Sequence, residues 1–467
     1  MLGVCLVAGG CAPEAPKPAL ENRGTLIGLS EVKPSANVVR VDSSISLRVF
    51  ATYKAPEGFV DFHDVKAAWS TPDSSVVRIE APGRVRALRP GLTWVMAEAE
   101  GDSTSASVLV WQPRFFSTVD AGSFYTCGLS LQGEAYCWGI GVQGTVGQGN
   151  PVACMTSYDG EAEVETPCSA VPVRIATDLR FRALRVGGDG ACALTASGEA
   201  YCWRNRPSSH EPIPKGVPVR PVPVAGPTFA SLGVGGLPTC GVTPAGEAHC
   251  WEWASRTPDT EAKSCDEWGN CLTVPEPVAG DLRFRSVSVG AQHACGISTR
   301  YEAYCWGYNR TGEVGLAETG NVKQPRKVPY DGELTSIVVG RERTCALTAG
   351  QELLCWGGER GPSPTGVLRG QGVQLSGDFN QFCTLSRAGE VQCLEWTHSF
   401  AGQPTFPNQA YVLPGDRRFA HLSVAQEHSC AIALDGEVYC WGANYYGELG
   451  SGGRASSAQP VRVALPR

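Results

Sequence analysis

The stretch CGLSLQGEAYCW at residues 127–138 sets two cysteines ten positions apart around a short polar turn, and the pattern returns six times. The later copies are CALTASGEAYCW (192–203), CGVTPAGEAHCW (240–251), CGISTRYEAYCW (295–306), CALTAGQELLCW (345–356), CTLSRAGEVQCL (383–394) and CAIALDGEVYCW (430–441). No other feature limits the fold as tightly. Ungapped alignment on the cysteines brings further positions into register. Eleven residues ahead of the first cysteine stand Phe116, Phe181, Phe229, Phe284, Leu334, Gly372 and Phe419. Eight ahead, every copy is apolar, from Val119 to Leu422; five ahead come Gly122, Gly187, Gly235, Gly290, Gly340 and Ala425. Seven after it stand Glu134, Glu199, Glu247, Glu302, Glu352, Glu390 and Glu437.

Each copy reads as strand, turn, strand, turn, strand. Facing Cys127 with Cys137 requires a hairpin centred on Gln132 with a three-residue loop. The last loop position then takes a positive φ, and Gly133, Gly198, Gly246, Gly389 and Gly436 hold it. The expected disulfides are therefore Cys127–Cys137, Cys192–Cys202, Cys240–Cys250, Cys295–Cys305, Cys345–Cys355, Cys383–Cys393 and Cys430–Cys440. Each staples two neighbouring strands and constrains the unfolded hairpin by about 2.5 kcal/mol. Cys154 with Cys168, and Cys265 with Cys271, form two more local pairs, each inside one inter-repeat segment. Even, locally paired cysteines point to an oxidising compartment. A zinc reading fails because CxxC spacing is absent and the seven histidines do not gather beside the thiols.

Seven such units, their first cysteines 38 to 65 residues apart, predict a seven-bladed β-propeller over residues 114–467. The expected fold class is all-β: an Ig-like β-sandwich followed by that propeller. With 56 Gly and 33 Pro, turns are frequent, as a β-rich chain of 467 residues needs. The C-terminal QPVRVALP (459–466) echoes VPVRIAT (171–177), and it is expected to pair with the blade of residues 115–139 and close the ring. The formal charge of −7 supplies no basic field for nucleic acid. No apolar run reaches the roughly 18 residues that span a bilayer.

Residues 25–112 contain no cysteine. ISLRVFATY (45–53), SVVRIEA (75–81) and SASVLVW (105–111) alternate with the period of half-buried strands, and Pro/Gly/Asp turns separate them. The run AAWSTPDSSVVRIEAPGRVRALRPGLTWVMAEAEG resembles a bacterial Ig-like domain of group 2. Trp69, Val76, Val77, Gly83, Val85, Ala87, Leu88 and Gly91 fall where that family's core and turns lie. The resemblance implies a spacer or adhesin module without a site of its own. Residues 1–11, MLGVCLVAGGC, resemble the end of a bacterial lipoprotein signal with Cys11 as the lipidated residue, although no basic residue precedes the apolar stretch. The alternative is an ordinary cleaved signal with Cys11 incidental. Residues 12–24 then form a Pro-containing tether.

The tails WGYNRTGEVG (306–315) and WGANYYGELG (441–450), with VGAQHACGI and VAQEHSCAI ahead of them, resemble the regulator of chromosome condensation repeat family. Copies two, three, five and six lack the full tail. The family's best-known member exchanges nucleotide on a small nuclear GTPase and binds chromatin, whereas exported members include an inhibitor of β-lactamases. A disulfide-rich acidic chain suits the exported kind.

Chemical motifs are sparse. Gly139 to Gly144 spell GxGxxG after an expected strand, but VGQGNPVAC follows and cannot begin the helix that a dinucleotide turn needs. The seven glutamates read as a repeated structural element at the rim rather than a catalytic ring. His293 and His428 read as packing or hydrogen-bonding groups. No GxSxG or HExxH occurs. No catalytic residue, cofactor or metal is called for. The informative residues are aromatics on the inter-repeat segments: Trp253, Trp268, Tyr308, Trp396, Tyr445 and Tyr446 are the expected contact anchors for a partner. The expected function is an exported, lipid-anchored surface scaffold, at the outer membrane or cell surface, alternatively periplasmic or secreted. Its partner is a protein or glycan, with the membrane met only through a lipid anchor and nucleic acid not at all. An exported enzyme acting on polysaccharide or peptide is the alternative, and guanine nucleotide exchange the most remote.

Overall fold

The computed structural model describes residues 25–33, 38–54, 60–141, 152–156, 164–188, 190–204, 219–236, 238–255, 265–266, 270–368, 372–379, 381–395 and 410–466. The expectations placed on Cys5, Cys11 and the rest of residues 1–24 lie outside them, as do Trp268 and Trp396.

Strands from Thr25–Lys33 to Asp102–Trp111 form three small sheets around one apolar core. Alternation builds that core. Along Gly91–Ala99, Val95 and Ala97 point inward while Trp94 and Met96 face solvent. Val49, Val77, Val85, Val108 and Val110 are among the others buried there, with Trp69 packed against them. Val38–Arg40 runs parallel to the last strand of this unit.

After Trp111 the described chain makes seven antiparallel sheets of four strands, the first widened by a fifth strand, Val152–Thr156, and a two-stranded sheet of Trp253–Ser255 with Asn270–Leu272 inside the connection of the third. The inner strands are Phe116–Ala121, Phe181–Val186, Ser231–Val234, Phe284–Val289, Leu334–Val339, Gly372–Asp378 and Phe419–Val424. Each lies against the next, and Phe419–Val424 lies against Phe116–Ala121, so the seven sheets close into a ring. The chain therefore runs outward through each blade and returns to the axis to begin the next.

In every blade the two cysteines are directly opposed across the second and third strands, with Cα atoms 4.0 to 4.1 Å apart and the sulfurs bonded. The loop is the three-residue one that the spacing requires: Ser130 N donates to Glu134 O at 2.8 Å. Gly133 has φ +79°, and Tyr301 and Gln351 adopt φ +63° and +65° where two copies lack glycine. The turn carbonyl then binds the next blade. Gly133 O accepts from Phe181 N at 2.8 Å, and Gly198, Gly246, Tyr301 and Gly389 do the same for Phe229, Phe284, Leu334 and Phe419.

Each disulfide is also the floor of the next blade's packing. Cys127 and Cys137 pack with Phe181, Leu184, Val186 and Trp203, and Cys295 and Cys305 with Leu334, Ile337, Val339 and Trp356. Cys430 and Cys440 meet Phe116, Val119 and Trp138, which closes the core of the ring. The glycine that five copies carry five residues before the first cysteine marks a tight approach at the axis: a Cβ on Gly290 would overlap the carbonyl oxygen of Gly340.

The C-terminal strand corrects one expectation. Ser457–Arg462 pairs with Val438–Gly442 of its own blade, not with the blade of residues 115–139. The echo of VPVRIAT is real but has another meaning. Arg174 faces Tyr136 and Val173 faces Cys137, as Arg462 faces Tyr439 and Val461 faces Cys440. Both segments are the outer strand of the blade that precedes them. Closure instead comes from side-by-side contacts: Ala121 N donates to Ser423 Oγ at 2.8 Å, and Arg114 N to Gly436 O at 3.2 Å.

Candidate functional site

The up-and-down path divides the ring into two faces. One carries the stapled hairpin turns and the returns to the next blade. There the repeated glutamates are tied into ion pairs: Glu134 with Arg180 at 3.1 Å, Glu247 with Arg283 at 3.2 Å, Glu302 with Lys327 at 2.6 Å and Glu390 with Arg418 at 3.2 Å. Glu437, nearly buried, holds Arg114 at 2.9 Å and Arg462 at 2.7 Å. This face is committed to holding the ring.

The other face carries the turns between first and second strands and the connections between third and fourth strands. The long connections leave from the third strands ending at Ile140, Arg204, Trp251 and Glu395, all on this face. Tyr308 and Tyr445 are exposed on it. Tyr446 is half-buried, its ring edge-on to Phe124 at 5.9 Å. Trp253 is half-buried under the Arg204 guanidinium, 5.8 Å from its centroid. These residues belong to the third, fourth and seventh blades; they share a face but do not form one cluster.

The two complete tails form a device that sequence alone did not reveal. Asn309 donates to Leu316 O and Glu318 O and accepts from Val314 N at 3.2 Å, which curls the loop. The Glu313 carboxylate turns back to accept from Thr311 N at 2.7 Å, leaving the Glu313 carbonyl pointing at the next blade. There it accepts from Thr344 Oγ1 at 2.9 Å and Trp356 Nε1 at 3.0 Å. The seventh blade repeats the arrangement. Glu448 O accepts from Thr126 Oγ1 at 3.0 Å and Trp138 Nε1 at 2.7 Å, while Glu448 Oε2 accepts from Tyr446 N at 2.9 Å. These loops are latches between neighbouring blades.

Histidine completes each latch. His293 Nε2 lies 2.8 Å from Thr344 Oγ1, and His428 Nε2 lies 2.7 Å from Thr126 Oγ1. With the hydroxyl proton committed to the glutamate carbonyl, the imidazole must donate from Nε2–H, and Nδ1, which has no partner, stays unprotonated in a neutral ring. Burial agrees, pulling both histidines down to about 3. Burial also pushes Glu448 up to about 7, with the charge of Glu427 adding to the shift and backbone N–H groups opposing it. Where the complete tail is missing, Trp203, Trp251 and Trp441 are buried with no partner for their indole N–H among the described residues.

Near the axis, Asp120 joins three blades. Its carboxylate accepts from Val186 N at 2.8 Å and Ser423 Oγ at 2.7 Å. Ser288 and Ser376, at the same repeat position, accept from Val339 N and Val424 N of their next blades. Asp378 stands where five other copies have glycine in the same register; burial pushes it up to about 6, and the Asp120 charge adds to the shift. His421 is pulled down by burial and donates from Nε2 to Val119 O at 2.9 Å. Hydrogen bonds between blades account for Asp120, Ser288, Ser376 and His421, Asp378 accepts from Phe379 N at 2.7 Å, and no group of three or more His, Cys, Asp or Glu able to hold a metal occurs among the described residues. After Ile140 the described chain continues in strands, and Val142 to Gly144 of the GxGxxG lie outside the described residues. Cys265 and Cys271 are bonded, and Cys168 is disulfide-bonded, the side chain of Cys154 lying outside those described.

Comparison with known proteins agrees with this geometry. Profiles described as the Regulator of chromosome condensation (RCC1) repeat match residues 284–313, 302–347 and 422–448, which include the fourth-blade latch and Asn444 to Glu448 of the seventh-blade one. The Ultraviolet-B receptor UVR8 of Arabidopsis thaliana is 23% identical over 358 residues, covering 75% of this chain and 58% of the receptor. The E3 ubiquitin-protein ligase HERC2 of Homo sapiens is 26% identical over 208 residues, covering 39% of this chain and 4% of the ligase. The chain thus spans well under two thirds of these relatives. Among solved structures, human WBSCR16 superposes with a TM-score of 0.55 at 16% identity, covering 71% of this chain and 94% of that one. Prp20p from Saccharomyces cerevisiae, whose structure was described with its binding properties to Gsp1p and histones, gives 0.53 at 17% identity, covering 73% and 88%. At such identities the likeness speaks to the fold: an all-β chain carrying RCC1 repeats on a propeller.

Proposed function

We propose that this RCC1-repeat propeller is a binding scaffold that engages a protein partner through the face bearing the connections between third and fourth strands. One observation carries the reading. The long connections and the exposed Tyr308 and Tyr445 share that face, while on the opposite face Glu134 and Glu247 pair with arginines of the next blade. Aromatics on rigid, stapled supports supply contact area at small entropic cost. Prp20p, with its binding to Gsp1p and histones, supports protein recognition by such a ring. In the same reading the chain is exported, with Cys11 lipidated, residues 25–112 an Ig-like spacer, and the disulfides formed outside a reducing compartment. A glycan is the second ligand class for the same aromatics.

The test is affinity capture from the native cell envelope, comparing the parent chain with a Tyr308→Ser/Tyr445→Ser double variant. Both side chains are exposed, so the fold tolerates their loss. The reading expects a protein recovered by the parent and depleted at least tenfold by the variant. Equal recovery by both places the contact elsewhere.

A further inference from the structure

Four residues, 112–115, separate Trp111, the end of the N-terminal unit's last strand, from Phe116, the start of the first blade's inner strand. Two units on one chain move relative to each other unless something holds them. Here the link between them is pinned at both ends. The Trp111 carbonyl accepts from Val41 N at 2.9 Å within the N-terminal unit. The Trp111 side chain packs instead with Phe115 and Val461 against the core that closes the ring. Pro113 is buried and fixes its own φ. The last strand, Asp102–Trp111, also approaches Phe419–Val424 of the seventh blade.

The closing junction is built differently from its counterparts because of this link. Gly389 O accepts from Phe419 N at 2.9 Å, the residue eleven before the next first cysteine. Gly436 O accepts from Arg114 N at 3.2 Å, two positions earlier in the same count. A Cβ on Gly389 would meet Phe419 and Arg418 of the next blade, whereas one on Gly436 would overlap the Gln112 carbonyl oxygen and crowd Arg114 N. The repeated glutamate follows the same exchange. Glu247 and Glu390 pair with Arg283 and Arg418, each twelve before the next first cysteine. Phe115 holds that place in the first blade, so Arg114 reaches Glu437 instead, at 2.9 Å, with Arg462 on its other oxygen at 2.7 Å. The Glu437 side chain is 8% exposed, against 48% for Glu247 and 46% for Glu390. The link occupies ground that elsewhere belongs to a blade.

We propose that residues 111–114 clamp the N-terminal unit onto the closing seam, so that unit and ring move as one body with the connection-bearing face turned away from the unit. The direction follows from the register. Phe116 pairs with Ser130 beside the hairpin turn, so the chain enters the ring on the hairpin face. Asp102 begins the strand that Trp111 ends, and it lies about 30 Å away along that strand. Leu29 N donates to Asp102 Oδ2 at 2.7 Å, which ties the unit's first strand to the end remote from the ring. The unit therefore stands as a pedestal under the hairpin face, and Tyr308 and Tyr445 lie on the far side. A swivelling unit would present those residues in every direction; a clamped one presents them in one. The inference goes beyond the binding proposal and stands without it.

The test is the alignment of the two parts of the full chain, read from backbone N–H residual dipolar couplings of the deuterated, 15N-labelled protein in a dilute aligning medium. One alignment tensor is expected to fit residues 38–54 and 64–111 together with the strands of the ring. Separate tensors in the parent chain overturn the proposal. A Gly-Ser-Gly-Ser insertion between Trp111 and Gln112 leaves both cores intact and should release the unit, its alignment falling to about half of the ring's or less. A single tensor after that insertion also overturns the proposal. Gly436→Ala should loosen the unit in the same way. Gly389→Ala, at φ +79° against +82°, carries the same backbone strain away from the link and should not. Equal behaviour of these two variants contradicts the clamp. No partner enters the measurement, and capture with the Tyr308/Tyr445 variant does not read the alignment, so either can fail without the other.

Discussion

Glu448 shows how one side chain serves two purposes. Its carbonyl locks the first blade to the seventh, and its buried carboxyl folds back on Tyr446 N. The folded-state value of about 7 lies above the ordinary 4.5. A group raised on folding gives its stabilisation in full below its unfolded value and loses it as pH rises through the folded one. Glu448→Gln keeps an acceptor for the backbone and removes the titration. Its melting temperature relative to the parent is therefore expected to rise from pH 4.5 to pH 8, spanning on the order of 3 kcal/mol. His428, pulled down to about 3, has the opposite sign: its contribution is present above 6.5 and is lost as pH falls toward 3. Because both proteins carry it, His428 cancels in the comparison. A difference that stays constant from pH 4.5 to 8 contradicts the buried carboxyl. None of this was legible in the sequence, since Glu448 and the Trp138 it holds are 310 residues apart. The repeat motif displays the loop but not the blade on which it docks.

Among elements, the hairpin was the most legible and the outer strand the least. A separation of ten positions between cysteines leaves one register for a three-residue turn, and all seven copies adopt it. The outer strands carry no such marker. QPVRVALP and VPVRIAT were recognisably alike, but likeness could not say whether the strand joins the blade behind it or the one ahead; the register of Arg174 and Arg462 does. The latch is likewise an element with one keystone. Fully buried Asn444 donates to Gly453 O and Ala455 O, both at 3.0 Å, and accepts from Leu449 N at 3.0 Å. Asn444→Ala takes the partner from the buried Leu449 N–H and from the Gly453 and Ala455 carbonyls, and is expected to cost about 1–3 kcal/mol in denaturant unfolding. Asn309→Ala should match it, because the fourth-blade latch is built the same way. A loss under 0.5 kcal/mol in both would show that the latches do not fasten the ring.

For the whole molecule, closure by side-by-side contacts has a consequence. Each blade is one contiguous stretch, its disulfide internal to the blade and its core shared with the next. Oxidation therefore needs no long-range partner: each staple can form as soon as its own hairpin does, and it offers the next blade a finished surface on which to pack. The face opposite the hairpins is then free to vary in connection length, and it is the face proposed for binding. What makes the whole arrangement checkable is that every repeat has a glutamate between its two cysteines, from Glu134 to Glu437. Cleavage by a glutamyl endopeptidase, after unfolding without reductant, cuts each hairpin into two peptides joined only through sulfur. Mass spectrometry of that digest is expected to show Cys127 linked to Cys137, Cys192 to Cys202 and so on through Cys430 to Cys440, each pair separating on reduction. Free thiols at these positions, or links that join cysteines of different blades, would contradict the stapled ring.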